Sequence, residues 1–218
     1  MPLTLDLVGE HIELLPERAI RIPRLNALLL SDVHLGKAAH FRAHGLAVPD
    51  AVFTHDLDRL ASLASRYSDD IYIVGDLVHK THNHEWERFA ALRATWKQRV
   101  MLIVGNHDRF VDDYATSASI DLADRYDLGP FHLVHKPDDH RDEDAYGICG
   151  HEHPAIVLSG KSSQQIRLPA FVATSRRFLL PAFGRFTGTH VVDLEDEDRA
   201  WVLVDETIIA VPPRRLPA

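Results

Sequence analysis

Short apolar runs of four or five residues recur along the chain, and polar residues follow each of them. The runs are too short for buried helices, so their length and the turn residues around them predict core strands. The predicted core strands are Asn26–Leu30, Ile71–Val74, Val100–Val104, Phe131–Val134 and Tyr146–Cys149.

Two longer segments between these runs have the periodicity of amphipathic helices. One apolar face contains Phe53, Leu57, Leu60, Ala61 and Ala64, and a second contains Trp86, Phe89, Ala90 and Trp96. Strands that alternate with helices predict an α/β layered domain. The two ends of the chain predict hairpin strands instead, at Leu5–Val8, Ile12–Leu15, Ala19–Ile22, Val191–Leu194, Trp201–Val204 and Thr207–Val211. We therefore expect two packed mixed sheets with helices outside, in a single domain over 1–218.

The composition fits a soluble globular protein. The chain has 218 residues, of which 45% are hydrophobic and 26% charged, and this excludes wholesale disorder. Its longest apolar runs, Val100–Val104 and Ala200–Val204, are far shorter than the roughly 20 residues of a membrane-spanning helix. The start of the chain lacks a secretory pattern, and the single cysteine, Cys149, cannot form an internal disulfide. We expect a cytoplasmic protein without a membrane partner.

The net charge of −8 comes from two acidic runs, Asp138–Asp144 and Asp193–Asp198, so a large basic nucleic-acid surface is absent. Residues 154–192, however, contain five basic residues and no acidic ones. Four phenylalanines lie among them, either as core residues or as part of a surface for nucleic acid. They are Phe171, Phe178, Phe183 and Phe186.

Polar side chains collect directly after the five core strands. Because ligands of α/β sheets bind beyond the carboxyl ends of strands, we expect these loops to share one crevice. Seven candidate metal ligands lie in them: Asp32, His34, Asp76, Asn106, His135, His151 and His153.

This mixture of nitrogen and oxygen donors predicts a dinuclear site. It suits Mn, Fe or Zn better than Mg or Ca, and we expect two divalent ions with Mn first. Two metals about 3.5–4 Å apart need a ligand that touches both, and we assign that bridge to Asp76. Such a pair lowers the pKa of a bound water and stabilises charge on a phosphoryl group.

Other polar residues near the ligands are candidates for acid–base chemistry and substrate binding. A histidine is the residue type suited to proton transfer near neutral pH, and His107 is the candidate that protonates a leaving alkoxide or stabilises charge on the phosphoryl group. Asp108 is predicted to accept a hydrogen bond from the other ring nitrogen of His107. The candidates for substrate contacts are Lys37, His40, Arg42 and His79.

The ordered motifs from Asp32 to His153 resemble those of the calcineurin-like metallophosphoesterases. The resemblance implies a four-layer αββα sandwich with two metals that share Asp76. It implies that Asp32, His34 and His153 complete one metal site, and that Asn106, His135 and His151 complete the other.

A narrower resemblance covers residues 31–42, 45–49 and 179–188, which are similar to the DNA-ligase-associated phosphoesterase (PdeM) family. It implies a phosphodiesterase or endonuclease in DNA repair, acting with a bacterial DNA ligase, a helicase and an exonuclease. Two alternatives stay open: a phosphodiesterase of small nucleotides, and a non-catalytic scaffold of a repair complex. The sequence does not choose between DNA and RNA, nor between a monomer and a homo-oligomer.

Overall fold

The computed structural model describes residues 2–37, 41, 50–79, 84–108, 111–140, 145–160 and 164–212. The helices in these ranges are α1 (Asp50–Arg66), α2 (His84–Arg93) and α3 (Val111–Ala118). The strands are β1 (Leu3–Leu7), β2 (Glu10–Leu15), β3 (Ala19–Ile22), β4 (Ala27–Leu30), β5 (Asp70–Val74), β6 (Val100–Ile103), β7 (Asp121–Ala123), β8 (Arg125–Leu128), β9 (Phe131–Val134), β10 (Tyr146–Cys149), β11 (Pro154–Ser159), β12 (Gln165–Ala173), β13 (Arg177–Leu179), β14 (His190–Val191), β15 (Arg199–Val204) and β16 (Thr207–Ala210).

The first sheet has seven strands in the order of the chain, β1 to β7. Strands β1 to β4 are antiparallel to their neighbours, as the hairpin prediction requires. Strands β4 to β7 run parallel. The carboxyl ends of β4, β5 and β6 therefore lie side by side at one edge of the sheet.

The second sheet has nine strands, with β14, β11, β12, β13, β10, β9 and β8 in spatial order and β15 and β16 joined to it through β12. Strand β10 lies parallel to both β9 and β13. The carboxyl ends of β9 and β10 are consequently neighbours as well, which is the arrangement that the polar loops after them need.

The two sheets pack face to face around a shared apolar core. Alternate residues of each strand point to that core, because side chains on a strand alternate between faces. The first sheet contributes Leu29, Val74, Met101 and Ile103, and the second contributes Phe131, Ile148, Phe171 and Phe178.

The opposite face of the first sheet packs against the helices. Leu57 and Leu60 of α1 and Trp86 and Phe89 of α2 lie in one cluster with Leu28, Ile73 and Leu102 of the sheet. All three described helices contribute to this face or adjoin it. The outer face of the second sheet has its own cluster, with Val134, Cys149, Val172 and Val202. The predicted α/β sandwich of two mixed sheets is confirmed.

The five predicted core strands and both helices are present, with ends shifted by a few residues at most. The strand predicted at Val191–Leu194 was wrong in extent, because only His190 and Val191 belong to β14, where they pair with the first two residues of β11. The sequence did not predict strands β7, β8, β11, β12 and β13. Within the described ranges, no helix is long and apolar enough to cross a membrane.

Candidate metal centre

The five polar loops meet in one crevice at the carboxyl ends of the parallel strands. Asp32 follows β4 and Asp76 follows β5, while His135 follows β9 and His151 follows β10. The backbone N–H of Asp32 donates to the Gly75 carbonyl over 3.0 Å, which joins the first two loops. The crevice thus draws its side chains from both sheets.

Gly150 allows the two sheets to approach each other at this edge. A Cβ atom at position 150 would lie 2.7 Å from Asp32 Oδ2, 2.7 Å from the Val74 carbonyl oxygen and 2.8 Å from the Cβ of Ser31, all in the first sheet or its loops. No real side chain tolerates such distances, so glycine is required here.

The first group of donors is formed by Asp32, His34 and His153, whose ligand atoms lie within 4.8 Å of one another. His153 Nε2 is 3.1 Å from Asp32 Oδ1 and 3.5 Å from His34 Nε2. Asp32 is fully buried and His34 nearly so, which leaves His153 as the more exposed side of the group.

The second group is formed by Asp76, His135 and His151, also within 4.8 Å of one another. His135 Nε2 is 3.4 Å from Asp76 Oδ1 and 3.2 Å from His151 Nδ1. Asn106 extends this group, because its Oδ1 is 3.2 Å from His135 Nε2. All seven side chains that the sequence singled out therefore occupy one crevice, in two groups.

Asp76 lies between the two groups. Its Oδ1 faces His135, and its Oδ2 is 3.8 Å from His34 Nε2 of the first group. The backbone N–H of His107 donates to Oδ1 over 2.9 Å and holds the carboxylate in this orientation. This is the position that a carboxylate shared by two cations must have.

A further, independent observation also indicates that the donor set fits cations: the lone pairs of neighbouring ligand atoms face one another. His135 Nδ1 donates to the Val74 carbonyl over 3.2 Å, and His153 Nδ1 donates to the Gly188 carbonyl over 3.0 Å. In the neutral rings both Nε2 atoms then carry lone pairs. Asp32 Oδ1, which His153 Nε2 faces, is buried without a hydrogen-bond donor among the described residues. Metal-binding histidines are typically oriented in this way.

The protonation states of the side chains in the crevice also favour a cation. Burial raises the pKa of Asp76, but a protonated His135, which would donate from Nε2, and the backbone N–H of His107 outweigh it and leave the pKa below its usual value. Burial lowers the pKa of His135, but the contact with Asp76 outweighs it and leaves that pKa raised, so a bound cation would take the place of the proton between these two side chains. Burial lowers the pKa of His34 to about 2, so this imidazole is neutral and able to donate a lone pair. A buried carboxylate beside a neutral imidazole is a site for a cation.

The backbone of the ligand loops adopts an uncommon conformation. Asp32, His34, Asp76, His151 and His153 all have positive φ, between 47° and 69°. Residues other than glycine seldom occupy this region, and it costs of the order of 1–3 kcal/mol where it is strained. Five such residues in one set of loops indicate that the fold holds these side chains inward at an energetic cost.

Comparison with solved structures finds the crystal structure of nuclease MPE from Pseudomonas putida, with a TM-score of 0.82. The two chains are 30% identical, and the match covers 97% of this chain and 100% of the other. The chain belongs to the nuclease MPE family of metallophosphoesterases. Comparison with protein-family models gave no match, and neither did comparison with curated proteins.

In this member of the family, His107 stands beside the two groups with its ring half-exposed. Its Nε2 is 4.0 Å from Asp76 Oδ2, so the ring borders the carboxylate that lies between the groups. The ring of His79 stacks on it with centroids 4.8 Å apart, and His34 meets it edge-to-face at 5.4 Å. The structure thus brings both His107 and His79 to the crevice, as expected.

Asp108 does not have the partner that we expected. Instead of accepting from the His107 ring, its two oxygens accept backbone N–H groups of Val78 over 2.9 Å and of Gly105 over 2.8 Å. Burial raises the pKa of this carboxyl to about 6. The expectation is corrected: Asp108 connects the loops after β5 and β6 and positions the residues on either side of it.

Of the predicted substrate contacts, Lys37 lies in a cleft that it shares with His34. Its side chain is partly buried, and burial lowers its pKa while Asp32 and Asp76 act in the opposite direction. The two remaining candidates, His40 and Arg42, lie outside the described residues.

A loop at residues 182–188, which we call the rim loop, supports the first group. The sequence singled it out only through the resemblance at 179–188 and did not predict its contact with the metal centre. Gly184 N–H donates to the Asp32 carbonyl over 3.0 Å, and the Gly188 carbonyl accepts from His153. The guanidinium of Arg59 is held beneath this loop, where it donates to the Phe183 carbonyl and lies 4.1 Å from the centroid of the Phe183 ring.

Asp56 completes this support. It accepts from the backbone N–H of Arg185 over 2.9 Å and lies 3.1 Å from Arg59. The signal in the sequence was weak: Asp56 falls three residues after Phe53 and four before Leu60, on the apolar face of α1, where a lone charge is unusual.

Proposed function

We propose that the protein is a metal-dependent phosphodiesterase that cleaves nucleic acid. The observation that carries this proposal is the pair of donor groups with Asp76 between them. The membership of the nuclease MPE family supports it, because that relative is a nuclease by name and matches this chain over its whole length.

Asp32, His34, Asp76 and His153 would hold one divalent ion, and Asp76, Asn106, His135 and His151 the other. The mixed nitrogen and oxygen donors favour Mn, with Zn and Fe as the alternatives. When bound, the metals supply an activated water and electrostatic stabilisation of the phosphoryl group. The neutral amide of Asn106 leaves its side of the crevice more electrophilic than a third carboxylate would.

The residues around the ligands keep this geometry in place. Backbone carbonyls orient His135 and His153, and backbone N–H groups orient Asp76 and Asp32. Ligands fixed in this way do not have to reorganise as charge develops on the phosphoryl group, which lowers the barrier of the reaction.

His107 is the proposed proton donor to the leaving alkoxide. Its half-exposed ring borders Asp76, and the stacked ring of His79 limits its rotation. An imidazole titrates near neutral pH and can both give and take a proton there, which is the requirement for a general acid. His79 and Lys37 would contact the substrate phosphate, together with His40 and Arg42.

The biological setting follows from the resemblance in sequence alone. We propose a cytoplasmic role in DNA repair, with a DNA ligase, a helicase and an exonuclease as functional partners. A nucleotide phosphodiesterase is the second candidate, since the net charge of −8 disfavours long-range attraction of a polyanion.

A substrate panel tests the proposal. Circular single-stranded DNA, duplex DNA, RNA, a cyclic dinucleotide and a linear dinucleotide are each assayed with Mn, Zn, Fe or Mg. We expect cleavage of a polymer, fastest with Mn, and loss of this cleavage in the Asp76→Ala variant. Cleavage of the dinucleotides alone supports the second candidate, and turnover that survives in Asp76→Ala contradicts the assigned site.

A further inference from the structure

The rim loop is attached to the metal centre at both of its ends. Phe183 N–H donates to the Ser31 carbonyl over 2.8 Å, and Gly184 N–H donates to the Asp32 carbonyl over 3.0 Å. At the other end, the Gly188 carbonyl accepts from His153 over 3.0 Å. The backbone between positions 184 and 188 is therefore held close to the first donor group.

Phe186 lies in this interval, and its exposure sets it apart from the other phenylalanines of its region. Phe171, Phe178 and Phe183 are fully buried in the core, whereas Phe186 is 37% exposed. The ring of Phe41 packs against it edge-to-face, with centroids 5.3 Å apart. The structure thus separates three core residues from one aromatic ring at the surface.

Phe186 also shares the cleft of Lys37 and His34. The cleft itself holds no more than about one water (about 20 Å³), so nothing as large as a base enters it. A base can still lie on the exposed part of the Phe186 ring at the outer edge. Lys37 and Phe186 thus line the same cleft, together with His34 of the first donor group.

We propose that Phe186 is a specificity-determining residue that stacks a nucleobase next to the scissile phosphate, while Lys37 binds the adjoining phosphate. This inference rests on the proposed function, because it presumes a nucleic acid in the crevice. An aromatic ring and a cation that line one cleft match the two repeating parts of a nucleotide, its flat base and its charged linkage. Anchorage at both ends of the loop fixes the ring before the substrate arrives, which reduces the entropy that binding costs.

The test compares a thymidylate oligonucleotide with an oligomer of the same length in which every nucleotide is abasic. Both have the same phosphates, so the ratio of their kcat/KM values measures the contribution of the bases. We expect the wild-type protein to prefer the thymidylate by about 5- to 150-fold, the range for one stacked base. Phe186→Ala should bring this ratio close to one, and Phe186→Trp should retain it.

A matched control is Ile166→Ala, which removes another exposed apolar side chain from β12, outside the cleft. This variant should keep the wild-type ratio. The inference is overturned if Phe186→Ala lowers cleavage of both oligomers by the same factor, because the ring would then act only on the loop. It is also overturned if the wild type does not distinguish the two oligomers.

The experiment gives a different result if the proposed function is wrong. A wild-type protein that has two Mn ions bound and cleaves neither oligomer contradicts the nuclease proposal, and it contradicts the stacking role as well. Cleavage of both oligomers without preference contradicts the role of Phe186 alone.

Discussion

The backbone N–H of His151 donates to Asp32 Oδ2 over 3.0 Å, although the two residues are 119 positions apart. Asp32 belongs to the first donor group and the loop after β4. His151 belongs to the second group and the loop after β10. One hydrogen bond therefore joins the two groups and the two sheets, so the distance between the groups depends on how the sheets pack.

Gly105→Ala should disrupt the carboxylate between the two groups. A Cβ atom at position 105 would lie 3.0 Å from Asp76 Cγ, and closer still to Oδ1 and the backbone nitrogen of Asp76. Asp76 has to move, and a displacement of about 1 Å in a catalytic site costs about 100-fold in rate. We expect fewer than two Mn ions per chain by elemental analysis and at least this loss of diester hydrolysis.

Gly160→Ala is the matched control, since among the described residues its new Cβ would meet only Gln164, at 3.8 Å, which is an ordinary contact. It should retain the metal content and activity of the wild type. Full metal content in Gly105→Ala would show that the Asp76 side chain is not confined as described.

Arg59→Ala should destabilise both the fold and the first donor group. The substitution leaves Asp56 buried without its ion-pair partner and removes a donor to the Phe183 carbonyl. Loss of one member of a buried pair costs about 3–5 kcal/mol in the free energy of unfolding, measurable by urea denaturation. Because the rim loop positions Asp32 and His153, Mn affinity measured by calorimetry should fall as well.

Arg66→Ala serves as the comparison on the same helix. The side chain of Arg66 is 45% exposed and pairs with Glu17 at the surface, where an ion pair contributes about 0–1 kcal/mol. Equal effects of the two substitutions would contradict the supporting role of Arg59.

His107→Ala should lower kcat by about 100- to 10,000-fold while both Mn ions stay bound. The backbone N–H that holds Asp76 remains in this variant, so the donor groups keep their geometry. A proton donor matters most for a poor leaving group. The loss should therefore be much smaller with a p-nitrophenyl ester, whose leaving group needs no proton, and an equal loss with both substrates would reject the role in proton transfer.

Cys149 should be inert in the native protein. Burial raises the pKa of its thiol to about 12, so at pH 8 only about one molecule in ten thousand carries the thiolate that reacts. A disulfide reagent that releases a coloured thiol should find no reactive cysteine until guanidinium unfolds the chain, and then one. Rapid stoichiometric labelling of the folded protein would show that β10 is more open than the structure describes.

The core strands could be predicted because each is a short apolar run that ends in a turn. Strand β12 was not predicted because its first residues, Gln165 to Arg167, are exposed and include polar side chains, and because Pro169 lies at its centre. Proline removes a backbone donor and argues against a paired strand. The strand is revealed by its pairing with β11, with β13 and with β15, of which only β15 is distant along the chain.

The residue types and their positions at strand ends sufficed to predict that the seven candidate ligands lie together. They did not suffice to predict how each side chain is oriented. Nothing in the letters of the sequence indicates that Asp32 and His153 adopt positive φ, since this conformation depends on the contacts of the folded loops. The exposure of Phe186 could not be predicted either, because it also depends on the contacts of the folded loops. Its neighbour Phe183 lies two residues from Arg185, and Phe186 lies one residue from it, yet Phe183 is fully buried.

The central claim is that the seven side chains enclose a pair of cations, and Mn located by anomalous diffraction tests it most directly. Crystals soaked in manganese chloride should show two anomalous peaks about 3.5–4 Å apart. One peak should adjoin Asp32, His34 and His153, the other His135 and His151, with Asp76 in contact with both. Manganese that binds only elsewhere on the protein, while these residues keep the positions described, would contradict the account.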